Sequence, residues 1–222
     1  MNLALIRLLH LASPTLPVGA YTYSQGLEWA VESGAVRDEK SALAWIGDCL
    51  EQGIARFEAV YLAQMMLAWR SNDVARLAEL DAEFLASRET AELRAETLQM
   101  GHSLARLLTD LADFPDAGLA GFETPSFPLA WSCVAARWDI PIEDGVAAYL
   151  WAWAENQVMA ALKAVPLGQT AGQRLLLALG ERLPELARQA AIAPLDTTHN
   201  FLAAFAIASS LHETQYTRIF RS

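Results

Sequence analysis

The sequence predicts an all-α fold, a compact array of roughly eight to ten helices in a single domain. Three observations carry this reading. Apolar residues recur at spacings of three and four, no stretch sustains period-two alternation, and β-branched residues are sparse. At 222 residues the chain is long enough to bury most of its unfolded surface without a disulfide or metal staple.

Residues 3–12 predict a short helix, ended at Ser13–Pro14 because the residue before a proline disfavours helical backbone. Pro14, Pro17, Gly19 and Gly26 mark a loop, and LEWAVESG follows as a second short helix stopped by Gly34. Residues 42–70 read as one long helix with Leu43, Ile46, Leu50, Ile54, Phe57, Tyr61 and Met65 on a continuous face. Asp73 is placed to cap the next helix, which is expected to bury Val74, Leu77, Leu80 and Phe84. A helix over about 88–112 carries Leu93, Met100, Leu104, Leu107 and Leu111 on one stripe, with Glu92, Glu96 and Arg106 mostly off it.

Pro115, Gly118, Gly121 and Pro125 make 113–126 the best internal linker. A short helix over 127–138 and an unusually apolar helix over 142–165 come next, the second stopped by Pro166 and Gly168. Thr170 and Gln173 read as a T-x-x-Q capping box for a helix running to about 182. Pro184 starts another short helix, and a final one spans about 198–213, leaving a tail over 214–222.

Charge and composition exclude several functions. The net charge is −10, both halves are acidic and no basic block exists, so neither nucleic acid nor a membrane surface is expected as a partner. Arg7 and His10 interrupt the apolar N-terminal run, unlike a secretory signal. The longest apolar stretch elsewhere, residues 146–154, falls far short of the ~18–20 residues that span a bilayer. Cys49 and Cys133 make no CxxC pattern and suit a reducing compartment, so a cytoplasmic protein is expected. Hydrophobic residues form 54% of the chain, which either a large core or a second, partner-facing apolar surface must hide.

Familiar chemistry is missing. There is no Walker-type phosphate loop and no G-x-G-x-x-G, so no nucleotide cofactor is expected. His10, His102, His199 and His212 are scattered, and none stands at chelating spacing from another His or Cys. A preformed metal cage built from this chain alone is therefore not expected, while a site shared across a dimer axis stays open. No G-x-S-x-G elbow is present, and Glu92 with Glu96 reads as a solvated helix face rather than an acid–base pair. No catalytic residue, metal ligand or cofactor is therefore assigned.

Three segments stand out. In LASPTLPVGAYTYSQGLEWA, residues 11–30, Tyr21 and Tyr23 serve either as core plugs or as partner surface. In ENQVMAALKAVPLGQ, residues 155–169, Lys163 is one of only two lysines in the protein. It lies two turns after Asn156, so the two share a helix face roughly 10 Å apart. It either snorkels to a carboxylate or presents a cation to a partner, with Gln169 closing the same segment. In SSLHETQYTRIFRS, residues 209–222, Tyr216, Arg218, Phe220 and Arg221 are residue types enriched at interface centres, although the tail is equally free to pack on its own domain.

These segments, with SRETAELR between them, resemble the UreF family of urease accessory proteins. The resemblance runs in order from about residue 6 to residue 222 and is weakest over 112–126. It implies an all-α homodimer that joins UreD (also called UreH), recruits the GTPase UreG onto apo-urease, and governs its cycle while nickel is inserted. It offers Lys163 and the tail as partner contacts and supplies no catalytic residue. A second reading makes the protein a GTPase-activating factor that inserts Lys163 or an arginine into UreG. Lys163 is expected to be partly buried, and the 214–222 tail to be weakly held in the isolated protein.

Overall fold

The computed structural model describes residues 3–111 and 118–222, and these form helices, turns and loops without a strand. Two short helices, α1 (Leu3–Leu11) and α2 (Leu27–Glu32), bracket the glycine- and proline-marked loop. Helical backbone then runs unbroken from Glu39 to Ser71. It starts earlier than the apolar pattern implies because Asp38 and Ser41 close a reciprocal cap. The Asp38 carboxylate accepts the Ser41 amide at 2.8 Å, and Ser41 Oγ accepts the Asp38 amide at 3.1 Å.

This path is not one regular helix. Between α3 (Glu39–Asp48) and α4 (Ala59–Ser71), residues Cys49–Glu58 are π-helical. The wider turn slips the register, yet Leu50, Ile54, Phe57 and Tyr61 all stay buried. It also turns Glu58 inward, where a regular continuation of the stripe would not draw attention to it.

Asp73 caps α5 (Val74–Ala86) as expected, accepting the Arg76 amide at 3.0 Å. Leu77, Leu80 and Phe84 are fully buried, but Val74 is 60% exposed. It stands at the first position of the helix, before the apolar face has rotated onto the core. Thr90 caps α6 (Ala91–Asp110). Of the linker expected over 113–126, residues 113–117 lie outside the described residues; from Gly118 the chain makes a 3-10 turn and reaches Ser126, which caps α7 (Phe127–Arg137).

α8 (Ile142–Ala164) is followed by α9 (Gln169–Gly180) and α10 (Leu183–Ile192). The T-x-x-Q capping box is absent. Gly168, in extended backbone, is already the residue before α9, so Thr170 sits inside the first turn. α11 (Ala203–His212) starts later than expected. Residues 195–202 instead make a 3-10 turn and an extended stretch, pinned where Asn200 Nδ2 donates to the Ser87 carbonyl at 3.0 Å.

α4, α7 and α8 form the centre of the core, with Met65, Met66, Trp131, Leu129, Val146 and Leu150 essentially inaccessible. Each large apolar side chain buried there contributes roughly 1.5–3 kcal/mol. Cys49 and Cys133 are both buried, and burial pushes their thiols up to about 12 and about 11. Among the described residues no helix is long and apolar enough to cross a membrane.

Candidate partner-binding surface

The loop before α2 is built by backbone signs. Gly19, at φ 81°, opens a 3-10 turn over Ala20–Thr22, and Tyr23 returns to extended backbone. Gln25 and Gly26 then both adopt left-handed backbone, at φ 52° and 80°. Gly26 needs no other explanation than space: a Cβ there would meet the Ser209 amide nitrogen at 2.9 Å. Gln25 has no such excuse and is held by its side chain. Its Nε2 donates to Glu96 Oε1 at 2.7 Å, and its Oε1 accepts Trp153 Nε1 at 2.7 Å.

This geometry separates the two loop tyrosines. Tyr23 is a core plug: its hydroxyl donates to Gln99 Oε1 at 2.6 Å and its carbonyl accepts Asn156 Nδ2 at 3.0 Å. Tyr21 stays exposed. Lys163 is exposed too, which corrects the expectation of a partly buried lysine paired with a carboxylate. Its Nζ lies 5.9 Å from the Tyr21 ring centroid and 5.4 Å from that of Phe220, and among the described residues it forms no ion pair. The two aromatic faces are what attract the ammonium.

The tail is docked rather than weakly held. After α11 the chain turns back, and Arg221 donates its amide to the Thr22 carbonyl at 2.8 Å. The Ser222 carbonyl accepts both the amide and the hydroxyl of Ser24, at 2.8 and 2.6 Å. Glu28 receives the amides of Ile219 and Phe220 at 2.6 and 2.9 Å. Phe220 and Ser222 are buried, while Tyr216 and Ile219 remain in solvent. The reason is visible in these contacts: the tail's own amides find a buried carboxylate inside the domain, an arrangement no local pattern announces.

Of the candidates from the sequence, the structure therefore brings Tyr21, Tyr23, Lys163, Phe220 and Arg221 into one region, with Arg221 Nη1 3.4 Å from Gln99 Oε1. Arg218 lies alongside, paired with Glu92 at 2.6 Å. Tyr216 makes no contact with the group, and Gln169 stands at the exposed start of α9.

Beneath the loop lies a cleft of about 190 Å³ with apolar walls from Leu16, Val18, Leu93, Met100 and Phe127, and with Tyr21 and Lys163 at its rim. Its floor is charged. Glu58 pairs with Arg88 at 3.0 Å and accepts the Tyr149 hydroxyl; burial, then the Glu58 charge, raises that hydroxyl well above its ordinary range. Glu96 is enclosed, and burial pushes its carboxyl up to about 7 against the pull of hydrogen bonds from Ser222 and Gln25. The reading of Glu92 and Glu96 as a solvated face is thus overturned. Both face inward because the tail and α11 cover that side of α6.

Sequence reasoning missed Gln25, Glu28, Glu58, Arg88, Glu96, Gln99 and His212. Their partners lie far along the chain, so spacing gives no sign of them. Among the described residues no group of His, Cys, Asp and Glu is arranged to hold a metal ion.

The sequence matches the family described as UreF over residues 36–180. It is similar to the urease accessory protein UreF of Azoarcus sp. (strain BH72), at 61% identity across 99% of this chain and 96% of that protein. The UreF of Dechloromonas aromatica is also 61% identical, across 99% and 98%. That of Methylobacillus flagellatus is 47% identical, across 99% and 98%.

Proposed function

The chain belongs to the UreF family of urease accessory proteins, and from that premise we propose that it is a non-enzymatic scaffold of the cytoplasm. Acting with UreD/UreH, it recruits the GTPase UreG to apo-urease and governs the GTPase cycle while nickel, the cargo, is inserted. The observation that carries this reading is Lys163. In a protein of net charge −10, one of two lysines stands exposed at the mouth of an apolar cleft, seated on two aromatic rings and unpaired among the described residues. A cation with no ion-pair partner among the described residues, beside exposed Tyr21, suits an interface better than it suits the stability of the isolated domain.

The unpaired ammonium also favours a second reading, in which Lys163 or Arg218 enters the UreG site and stabilises transition-state charge. Single-turnover GTP hydrolysis by UreG, with and without wild type or Lys163→Ala, separates them. Acceleration lost on substitution supports the inserted cation. Hydrolysis left unchanged or slowed, together with loss of the assembly on Lys163→Ala, supports the scaffold. Retention of full assembly by a folded Lys163→Ala refutes the role given to Lys163.

We further propose a homodimer. Its support is apolar side chains left in water on the later helices and their connection: Leu177, Ile192, Phe201 and Ile207. A monomer in light scattering at tens of micromolar refutes it.

A further inference from the structure

We propose that His212 is a protonation-dependent latch that fastens residues 218–222 to the domain. Its ring is wholly enclosed at the end of α11. Nδ1 lies 2.7 Å from Glu92 Oε2, and Nε2 lies 3.2 Å from Glu28 Oε2. An ionised carboxylate accepts and does not donate, so facing one at each nitrogen the ring is satisfied at both ends only as an imidazolium. The same two carboxylates hold the strap. Glu28 accepts the Ile219 and Phe220 amides, and Glu92 accepts Arg218 Nη1 at 2.6 Å.

The charges around the ring make its proton decisive. Glu28 faces it from α2 and Glu92 from α6; Arg218 reaches Glu92 from the strap, and Glu213, the next residue, accepts the Glu92 amide at 3.2 Å. Glu96, one turn along α6, holds the Ser222 hydroxyl at 2.7 Å. Without the ring proton, one nitrogen turns a lone pair toward a carboxylate, and among the described residues the only cation left is Arg218, which reaches Glu92 but not Glu28. Buried charge left so poorly compensated is unfavourable, and the strap is the part able to move and admit water.

The sign follows from linkage. The docked geometry satisfies both ring nitrogens only when the ring carries its proton. Docking therefore holds while the imidazolium persists and is lost as rising pH removes that proton. The strap carries Phe220, one of the two rings under Lys163, so opening the latch dismantles that seat.

The test follows the full-length chain by NMR across a pH series. The His212 ring is read from its own nitrogen shifts. Exchange of the Ile219, Phe220 and Arg221 amides is corrected for intrinsic pH dependence. Protection at these amides is expected to fall by about tenfold or more as the ring loses its proton, while core amides such as Leu62 hold theirs. His212→Gln should lower the same protection at every pH. A ring that is neutral while the strap is protected, or protection that ignores the ring's charge, overturns the proposal. Should His212→Gln fail to fold, the wild-type titration still decides.

Discussion

Gln25 donates to Glu96 Oε1 at 2.7 Å from a backbone held at φ 52°. A non-glycine residue in this region is strained by roughly 1–3 kcal/mol, so the contact is maintained against a local cost. It persists because the other end of the amide accepts Trp153 Nε1, tying the loop to α6 and α8 together. Gln25→Ala keeps the strain and loses both bonds, and should cost about 2–3 kcal/mol in urea denaturation. Gln25→Gly loses the bonds but relieves the backbone, and should cost about 1 kcal/mol less. Equal losses would show that the backbone is not strained.

Glu96 should make stability pH-dependent. Its folded-state carboxyl is raised from 4.5 to about 7, chiefly by burial. A raised folded value means that the folded state binds the proton more tightly. The associated stability is complete below about 4.5 and is lost as pH rises through about 7. Glu96→Gln mimics the protonated form. It should flatten the fall in unfolding free energy between those two values, measured by denaturant titration at a series of pH values. A slope unchanged in the variant would assign the pH dependence to other groups.

Gly101 marks where α6 and α7 touch. A Cβ there would meet the backbone carbon of Ser126 at 2.7 Å and would press on the Pro125 carbonyl. Backbone cannot step aside as a side-chain tip can, so Gly101→Ala should cost ~3 kcal/mol or more. Gly168, with no atom within 4 Å of its virtual Cβ and φ −79°, is the control. Gly168→Ala should change stability by less than about 0.5 kcal/mol. Thermal melts of the two variants side by side check the contrast.

Removing residues 214–222 should destabilise the domain. The truncation exposes the core around Phe220 and leaves Glu28 without two backbone donors. A fall in Tm of about 5 °C or more is expected, whereas Lys163→Ala should leave it within about 1–2 °C. A truncated protein that melts with wild type would show that the docked tail contributes nothing.

The architecture was legible in the sequence wherever a stripe faced a single core. Leu77, Leu80 and Phe84 repeat at helical spacing, and Asp73 announces its own helix. The same logic failed for Glu96. Acids four residues apart suggest a wet face, and nothing near them in sequence says that α11 and the tail will cover it. The π-helical turn before Glu58 was illegible for another reason: the apolar spacing on either side fits a regular helix equally well. Tyr21 and Lys163 stand out in the sequence because one is an aromatic in a glycine-marked loop and the other a cation in an apolar helix of a chain poor in lysine. That they share a seat with Phe220 depends on a fold-back no local rule predicts.

The pairing of Ser24 with Ser222 joins positions 198 residues apart. During synthesis the earlier segment therefore waits for the later one, on the order of ten seconds or more at ordinary elongation rates. Throughout that interval Glu28, Glu92 and Glu96 lack the donors supplied by α11 and the strap, and they stand in water. The nascent chain thus carries exposed acids on the side that the later segment will cover, which opposes premature sticking of an apolar sequence. Closing the strap is the step that takes those acids out of water. It is a slow, long-range event that couples the arrival of this late segment to a change in the protein's bound protons.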